Sequence, residues 1–167
     1  MMSLKYSKPE RLWLKNYPEL DEWWLQYRIG EDPTLLGLGD LVLKDRKRPQ
    51  PRAGRLDLLL QDAETNKRYE VKAQLGKTDE AHIIRTIEYW DIERKRYPQY
   101  DHTAVIVAED ITSRFLNVIS LFNGSILLVA IQLRRHPAWR LGVHHLLEGT
   151  RRNAALASWT KTRRSKR

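Results

Sequence analysis

The run His102-Thr103-Ala104-Val105-Ile106-Val107-Ala108 constrains the fold more than any other stretch of the chain. It is β-branched and does not alternate, which is the pattern of a strand buried on both faces, and such a strand needs helices above and below its sheet. The flanking segments supply them. From Asp79 to Arg96, Ile83, Ile84, Ile87 and Trp90 recur at helical spacing, with Thr78 or Asp79 as cap and Pro98 as stop. From Ile111 to Asn123 a second amphipathic helix sets Phe115, Val118, Ile119 and Phe122 on one face, and the run Ser125 to Gln132 is again a buried type of strand.

Upstream, Leu38 to Leu43 reads as a strand, and Lys44 to Arg52, broken by Pro49 and Pro51, reads as a basic loop. Arg55 to Gln61 and Lys67 to Leu75 flank a polar segment in the manner of a β-hairpin. The order strand, hairpin, helix, strand, helix, strand predicts an α/β fold, a mixed central β-sheet flanked by helices. Near the start, Ser7 to Leu14 suits a short helix, and Asp21 is an N-cap for a helix over Glu22 to Ile29. Trp23 and Trp24 are read as core packing rather than as base-stacking residues. No internal repeat is present.

The hairpin carries the chemistry. In Tyr69-Glu70-Val71-Lys72-Ala73-Gln74, residues two apart share a face, so Glu70, Lys72 and Gln74 point one way. With a four-residue loop, Asp62 to Thr65, Gln61 faces Asn66 and Asp57 falls opposite Glu70 on that same face; a three-residue loop sends Asp57 to the other side. In the first register two carboxylates and an ammonium converge. Two adjacent carboxylates would raise one of their pKa values strongly unless a cation lay between them. Oxygen donors of this kind suit Mg²⁺ or Mn²⁺.

Gly54-Arg55-Leu56-Asp57-Leu58 followed by Glu70-Val71-Lys72 resembles the PD-(D/E)XK, or restriction-endonuclease-like, nuclease superfamily. The nearest pattern is the nuclease domain of archaeal and actinobacterial mismatch- and branched-DNA endonucleases. As an order of elements the likeness runs from Asp21 to Leu133, with its specific motifs confined to the hairpin. It implies a metal-dependent endonuclease that hydrolyses DNA phosphodiester bonds through a D…E-x-K site. By that likeness Asp57 and Glu70 hold the metal, the carbonyl of Val71 adds a ligand, and Lys72 positions the attacking water. In the resembled nucleases the helix before the first strand can bring a further acid; Gln26 sits nearest that position here, with Glu22 and Glu31 as alternatives. The helix after the E-x-K strand borders the site, so its stripe of His82, Arg85, Thr86, Tyr89 and Glu93 offers His82 and Arg85 to the scissile phosphate or its water chain. For His82 alone the preferred reading is a structural hydrogen bond. Many nucleases of this fold cut duplexes as homodimers. The alternative is a catalytically silent module of the same fold that binds nucleic acid or dimerises.

The net charge of +9 supports DNA binding only where it is located. Residues 1–133 hold 20 basic and 20 acidic side chains, and residues 134–167 hold 10 and 1, which divides the chain into a nuclease-like α/β domain and a basic C-terminal tail. The tail is either a nucleic-acid-binding arm, with Trp139 or Trp159 able to stack on bases, or a non-native extension. His144-His145 is a poor metal motif on spacing. Within the domain, Arg46, Lys47, Arg48 and Arg52 of the expected loop are candidates for phosphate contacts. With no cysteine, no apolar run long enough to span a membrane and no signal-peptide core at the N-terminus, the expected setting is cytoplasmic, with no membrane partner.

Overall fold

Buried apolar runs fix the centre of the sheet and amphipathic segments fix its cover. The computed structural model describes residues 13–122, 124–136 and 140–147. Helix α1 (Glu22–Glu31) is capped by Asp21, whose side chain accepts from the Trp24 backbone N–H at 2.7 Å, as the sequence led us to expect. Next come β1 (Leu41–Gln50), β2 (Gly54–Asp62), β3 (Lys67–Lys77), α2 (Glu80–Arg96), β4 (Asp101–Asp110), α3 (Ser113–Leu121), β5 (Leu128–His136) and β6 (Arg140–Leu147). The expected helix over Ser7 to Leu14 lies mostly outside the described residues; at its end Leu14–Asn16 form one 3₁₀ turn.

The six strands stand in sequence order. β1, β2 and β3 are antiparallel neighbours, β3, β4 and β5 are parallel, and β6 returns antiparallel to β5. The sheet is therefore mixed. Each parallel step is made by a helix, α2 between β3 and β4 and α3 between β4 and β5. Strand β4 splits its side chains between two cores. Val105 and Val107 join Leu25, Ile29, Val71 and Ile131 on the α1 side, whereas Ala104, Ile106 and Ala108 join Ile83, Trp90 and Ile119 on the other. That division is what a strand without alternation requires.

Two expectations change here. The basic stretch Lys44 to Arg52 is not a loop: β1 runs through to Gln50, with a register shift between Leu43 and Asp45 and a left-handed backbone at Lys47, before the turn to Gly54. Pro49 is tolerated because β1 is an edge strand in the sheet order. The sheet also continues past residue 133, since β5 reaches His136 and β6 lies in the stretch assigned to the tail. Trp159 and the rest of residues 148–167 lie outside the described residues, as does Trp139.

Glu109 at the end of β4 ties the N-terminal segment to the sheet. Its carboxylate accepts from the backbone N–H groups of Leu14, of Lys15 at 3.2 Å and of Gly76 at 2.6 Å. One side chain thus ties two backbone segments, Leu14–Lys15 and the end of β3, to the end of β4.

Candidate active site

The hairpin turn sets what lies opposite what. Asp62 accepts through Oδ1 from Glu64 N–H at 2.9 Å and Thr65 N–H at 3.0 Å, and this side-chain turn pushes the first ladder pair out to Gln61 and Arg68. The expected pairing of Gln61 with Asn66 is thus shifted by two residues. Leu59, not Asp57, stands opposite Glu70. Because the shift is even, Asp57 keeps the face of Lys72, and the two side chains meet.

Asp57 is only 2% exposed, just beyond the last paired residue of β2. Its Oδ2 accepts from Lys72 Nζ at 2.9 Å and from the Ala73 N–H at 3.0 Å, and its Oδ1 from Lys72 Nζ at 3.1 Å. The flanking pairs Arg46 with Leu58 and Arg48 with Leu56 bring Lys47 across from it, with Nζ 3.6 Å from Oδ1. One buried carboxylate is thereby matched by two ammonium groups.

Glu70 shares that face but leans the other way. It is fully buried, with Oε1 2.7 Å from His102 Nδ1, while Oε2 has no partner among the described residues. His102 Nε2 lies 2.8 Å from the Tyr97 carbonyl, which can only accept, so Nε2 carries a hydrogen. The short contact on the other side then shares one proton between Nδ1 and the carboxyl group. Burial pushes the Glu70 pKa up, partly offset by His102. For His102, burial acts downward but the hydrogen bonds to Glu70 and Tyr97 outweigh it, and the net shift is upward.

Helix α2 packs on the sheet through Ile83, Ile87 and Trp90 as expected, but it buries more than that apolar stripe. Ile84 is 63% exposed, whereas His82, Thr86, Tyr89 and Glu93, read as a surface stripe, are all buried. Each has a polar partner that makes burial tolerable. His82 Nε2 lies 3.0 Å from the Lys72 carbonyl, Thr86 Oγ donates to the His82 carbonyl at 2.7 Å, and Tyr89 OH donates to the Ala53 carbonyl at 2.9 Å. Glu93 accepts from Gln50 Nε2 at 2.8 Å and Arg48 Nε at 3.0 Å. His82 thus makes a structural hydrogen bond, and burial lowers its pKa. Arg85 is exposed.

The remaining candidates spread around this centre. Gln74 Nε2 donates to the Lys77 carbonyl at 3.0 Å and reaches Asp79 at 3.3 Å. Gln26 is buried, its Oε1 lacks a partner, and among the described residues no hydrogen bond links it to Asp57, Glu70 or Lys72. Of the four basic residues assigned to phosphate contact, Arg48 is directed inward to Glu93 and to Tyr97 OH at 2.6 Å, Arg46 folds onto α1, Lys47 reaches Asp57, and Arg52 is exposed in the turn after β1. Sequence reading missed His102, Gln50 and the role of Glu93. Only the position of His102 at the mouth of a buried strand hinted at it.

Among the described residues no group of three or more His, Asp or Glu side chains converges as a ready metal cage. The donor chemistry nevertheless fits a hard cation, because such ions take one or two carboxylates and complete their shell with water and carbonyl oxygens. Asp57, the partnerless oxygen of Glu70 and the Val71 carbonyl between Glu70 and Lys72 are donors of that kind.

No family model matches the chain, and no curated protein matches it in sequence. Among solved structures it is similar to the structure of an EndoMS–dsDNA2 complex, at 15% identity and a TM-score of 0.56 over 78% of this chain and 49% of that one. It is also similar to the crystal structure of a repair endonuclease from Pyrococcus abyssi, at 18% identity and a TM-score of 0.54 over 66% and 45%. The chain spans about half the length of either. These likenesses show a fold shared with both structures.

Proposed function

We propose, from a fold shared with two endonuclease structures, that this chain carries the nuclease site of a divalent-metal-dependent enzyme that hydrolyses DNA phosphodiester bonds. The observation that carries the reading is the direct contact of Asp57 with Lys72 on the face that Glu70 shares. Asp57, Glu70 and the carbonyl of Val71 are the residues that would hold Mg²⁺ or Mn²⁺. When bound, such an ion polarises the phosphoryl oxygen and lowers the pKa of a water.

The chain's own groups do the positioning. The Lys72 ammonium has three donor hydrogens, so it can hold both oxygens of Asp57 and orient a water with the third. The Ala73 N–H fixes the Asp57 carboxylate from the backbone side, and His82 holds the Lys72 carbonyl, which fixes the β3 backbone from which the Lys72 side chain reaches Asp57. Lys47, on the edge strand, adds positive charge where a phosphate would approach. Arg85 and Arg52 are exposed cations that would also meet the DNA backbone, and Gln26, Gln74 and Tyr89 support the site's surroundings. We place the protein in the cytoplasm and read it as a homodimer on duplex DNA.

One observation favours a second reading. Glu70 is fully buried against His102, which suits a catalytically silent DNA-binding or dimerisation module. The deciding experiment is supercoiled-plasmid nicking by purified protein with Mg²⁺ and with EDTA. Nicking that needs Mg²⁺ supports the enzyme; DNA binding without nicking under any divalent ion supports the silent module.

The basic residues after β6 are proposed to strengthen non-specific DNA binding. Residues 148–167 hold 7 Lys and Arg against one acid, and neutralising about six phosphates gives log K against log salt a slope near −5. Truncation after Leu147 spares β6 and is expected to flatten that slope while leaving cleavage of saturating substrate intact. An unchanged slope on salt titration by anisotropy would move the contact surface to Arg52 and Arg85.

A further inference from the structure

Trp23 stands on α1 with 64% of its surface exposed, contrary to the core role read from sequence. Its ring stacks on Tyr27, with centroids 5.4 Å apart and planes 19° apart. The guanidinium of Arg46 lies 5.0 Å from the Tyr27 centroid and completes a three-tier stack. This stack is held in place. A Cβ at Gly30 would sit 2.6 Å from the Arg46 guanidinium, so the absence of a side chain there lets Arg46 lie flat on the helix, and Glu31 pairs with it at 3.6 Å.

Exposing a Trp face has a cost that most helices avoid by burying the ring, and here the ring is pre-ordered by its neighbours instead. The stack also joins the catalytic face through the edge strand. Arg46 is followed by Lys47, whose ammonium is 3.6 Å from Asp57. Successive residues of a strand point to opposite faces, so this edge of the sheet carries one cation over Tyr27 and the next on Asp57, the combination of charge and π-surface that an unpaired nucleotide offers phosphate and base to.

We propose that Trp23 and Tyr27, backed by Arg46, are a stacking platform for an unpaired base of a DNA strand that passes the Asp57–Lys72 site. The inference rests on the DNA reading of that site and names the form of strand it takes. A base stacks on the free face of Trp23, and its phosphates follow β1 toward Lys47.

The test uses the full chain in EDTA, with fluorescence anisotropy of a labelled single strand and of the blunt duplex made from it. Trp23→Ala is expected to weaken single-strand binding about tenfold and leave duplex binding unchanged, with Trp23→Phe restoring most of the loss. Because Trp23 is largely exposed, the thermal melt should not move. Unchanged single-strand affinity in Trp23→Ala overturns the platform, as does an equal loss on both DNA forms. Light scattering that shows the wild type as a dimer and Trp23→Ala as a monomer also overturns it, by assigning the face to a second copy. The nuclease reading fails separately: a wild type that binds single strands through Trp23 yet nicks nothing with Mg²⁺ keeps the platform and loses the enzyme. A wild type that nicks DNA while Trp23→Ala binds normally does the reverse.

Discussion

Asp57→Asn is expected to reduce Mg²⁺-dependent plasmid nicking by about a thousandfold or more, since a metal site supplies several kcal/mol of transition-state stabilisation and each 1.36 kcal/mol is a factor of ten. The substitution keeps the shape and an acceptor for the Ala73 N–H, so the β2–β3 geometry should persist. What it removes is the negative charge that Lys72 and Lys47 face and that a cation needs. Circular dichroism and a thermal melt separate this outcome from simple unfolding. A folded Asp57→Asn protein that nicks at the wild-type rate would place the activity at another centre.

His102→Ala is expected to destabilise the fold by about 3–5 kcal/mol at neutral pH, the usual cost of leaving one member of a buried charged pair without its partner. Glu70 is 0% exposed and its Oε2 lacks a partner among the described residues, so none of these replaces the lost contact. The pH dependence has a definite sign. Glu70 is raised from 4.5 by burial, so its contribution is present below 4.5 and lost as pH rises through the folded-state pKa. For His102, burial acts to lower the pKa but the bonds to Glu70 and Tyr97 raise it overall from 6.5, so its contribution is present below 6.5 and is likewise lost as pH rises. Wild-type stability in EDTA, measured by urea unfolding, should therefore fall as pH rises above 6.5. The deficit of His102→Ala should shrink as pH rises through the raised His102 pKa, because the contribution it removes is lost there. A deficit that stays constant across that range would mean the two groups do not share a proton.

The α/β order was legible because its signals are local. Runs such as His102 to Ala108 declare burial on both faces, and Asp21 and Asp79 cap α1 and α2 as their sequence context suggests. The shared face of Asp57 and Lys72 was legible too, since it depends only on parity along two strands. The register was not. It turned on the Asp62 side chain bonding to Glu64 and Thr65, which moved the pairing by two residues and put Leu59 opposite Glu70. Helix α2 misled for a related reason. Periodicity identifies apolar stripes, but the buried stripe of His82, Thr86, Tyr89 and Glu93 is polar and is stabilised by partners such as Ala53 and Arg48 that lie far away in sequence. The contact of Glu70 with His102 spans 32 residues and depends on the parallel pairing of β3 with β4, which no local pattern encodes. Pro49 made β1 look like a loop because an edge strand hides the missing donor on its open side.

The most direct test of a metal-dependent site at Asp57, Glu70 and Lys72 is anomalous diffraction from crystals soaked in Mn²⁺. A single strong peak contacted by carboxylate oxygens of both Asp57 and Glu70, and missing from Asp57→Asn crystals, is the expected result. Saturating Mn²⁺ that gives no peak at these residues, with Glu70 still bonded to His102 and Asp57 to Lys72, would contradict it.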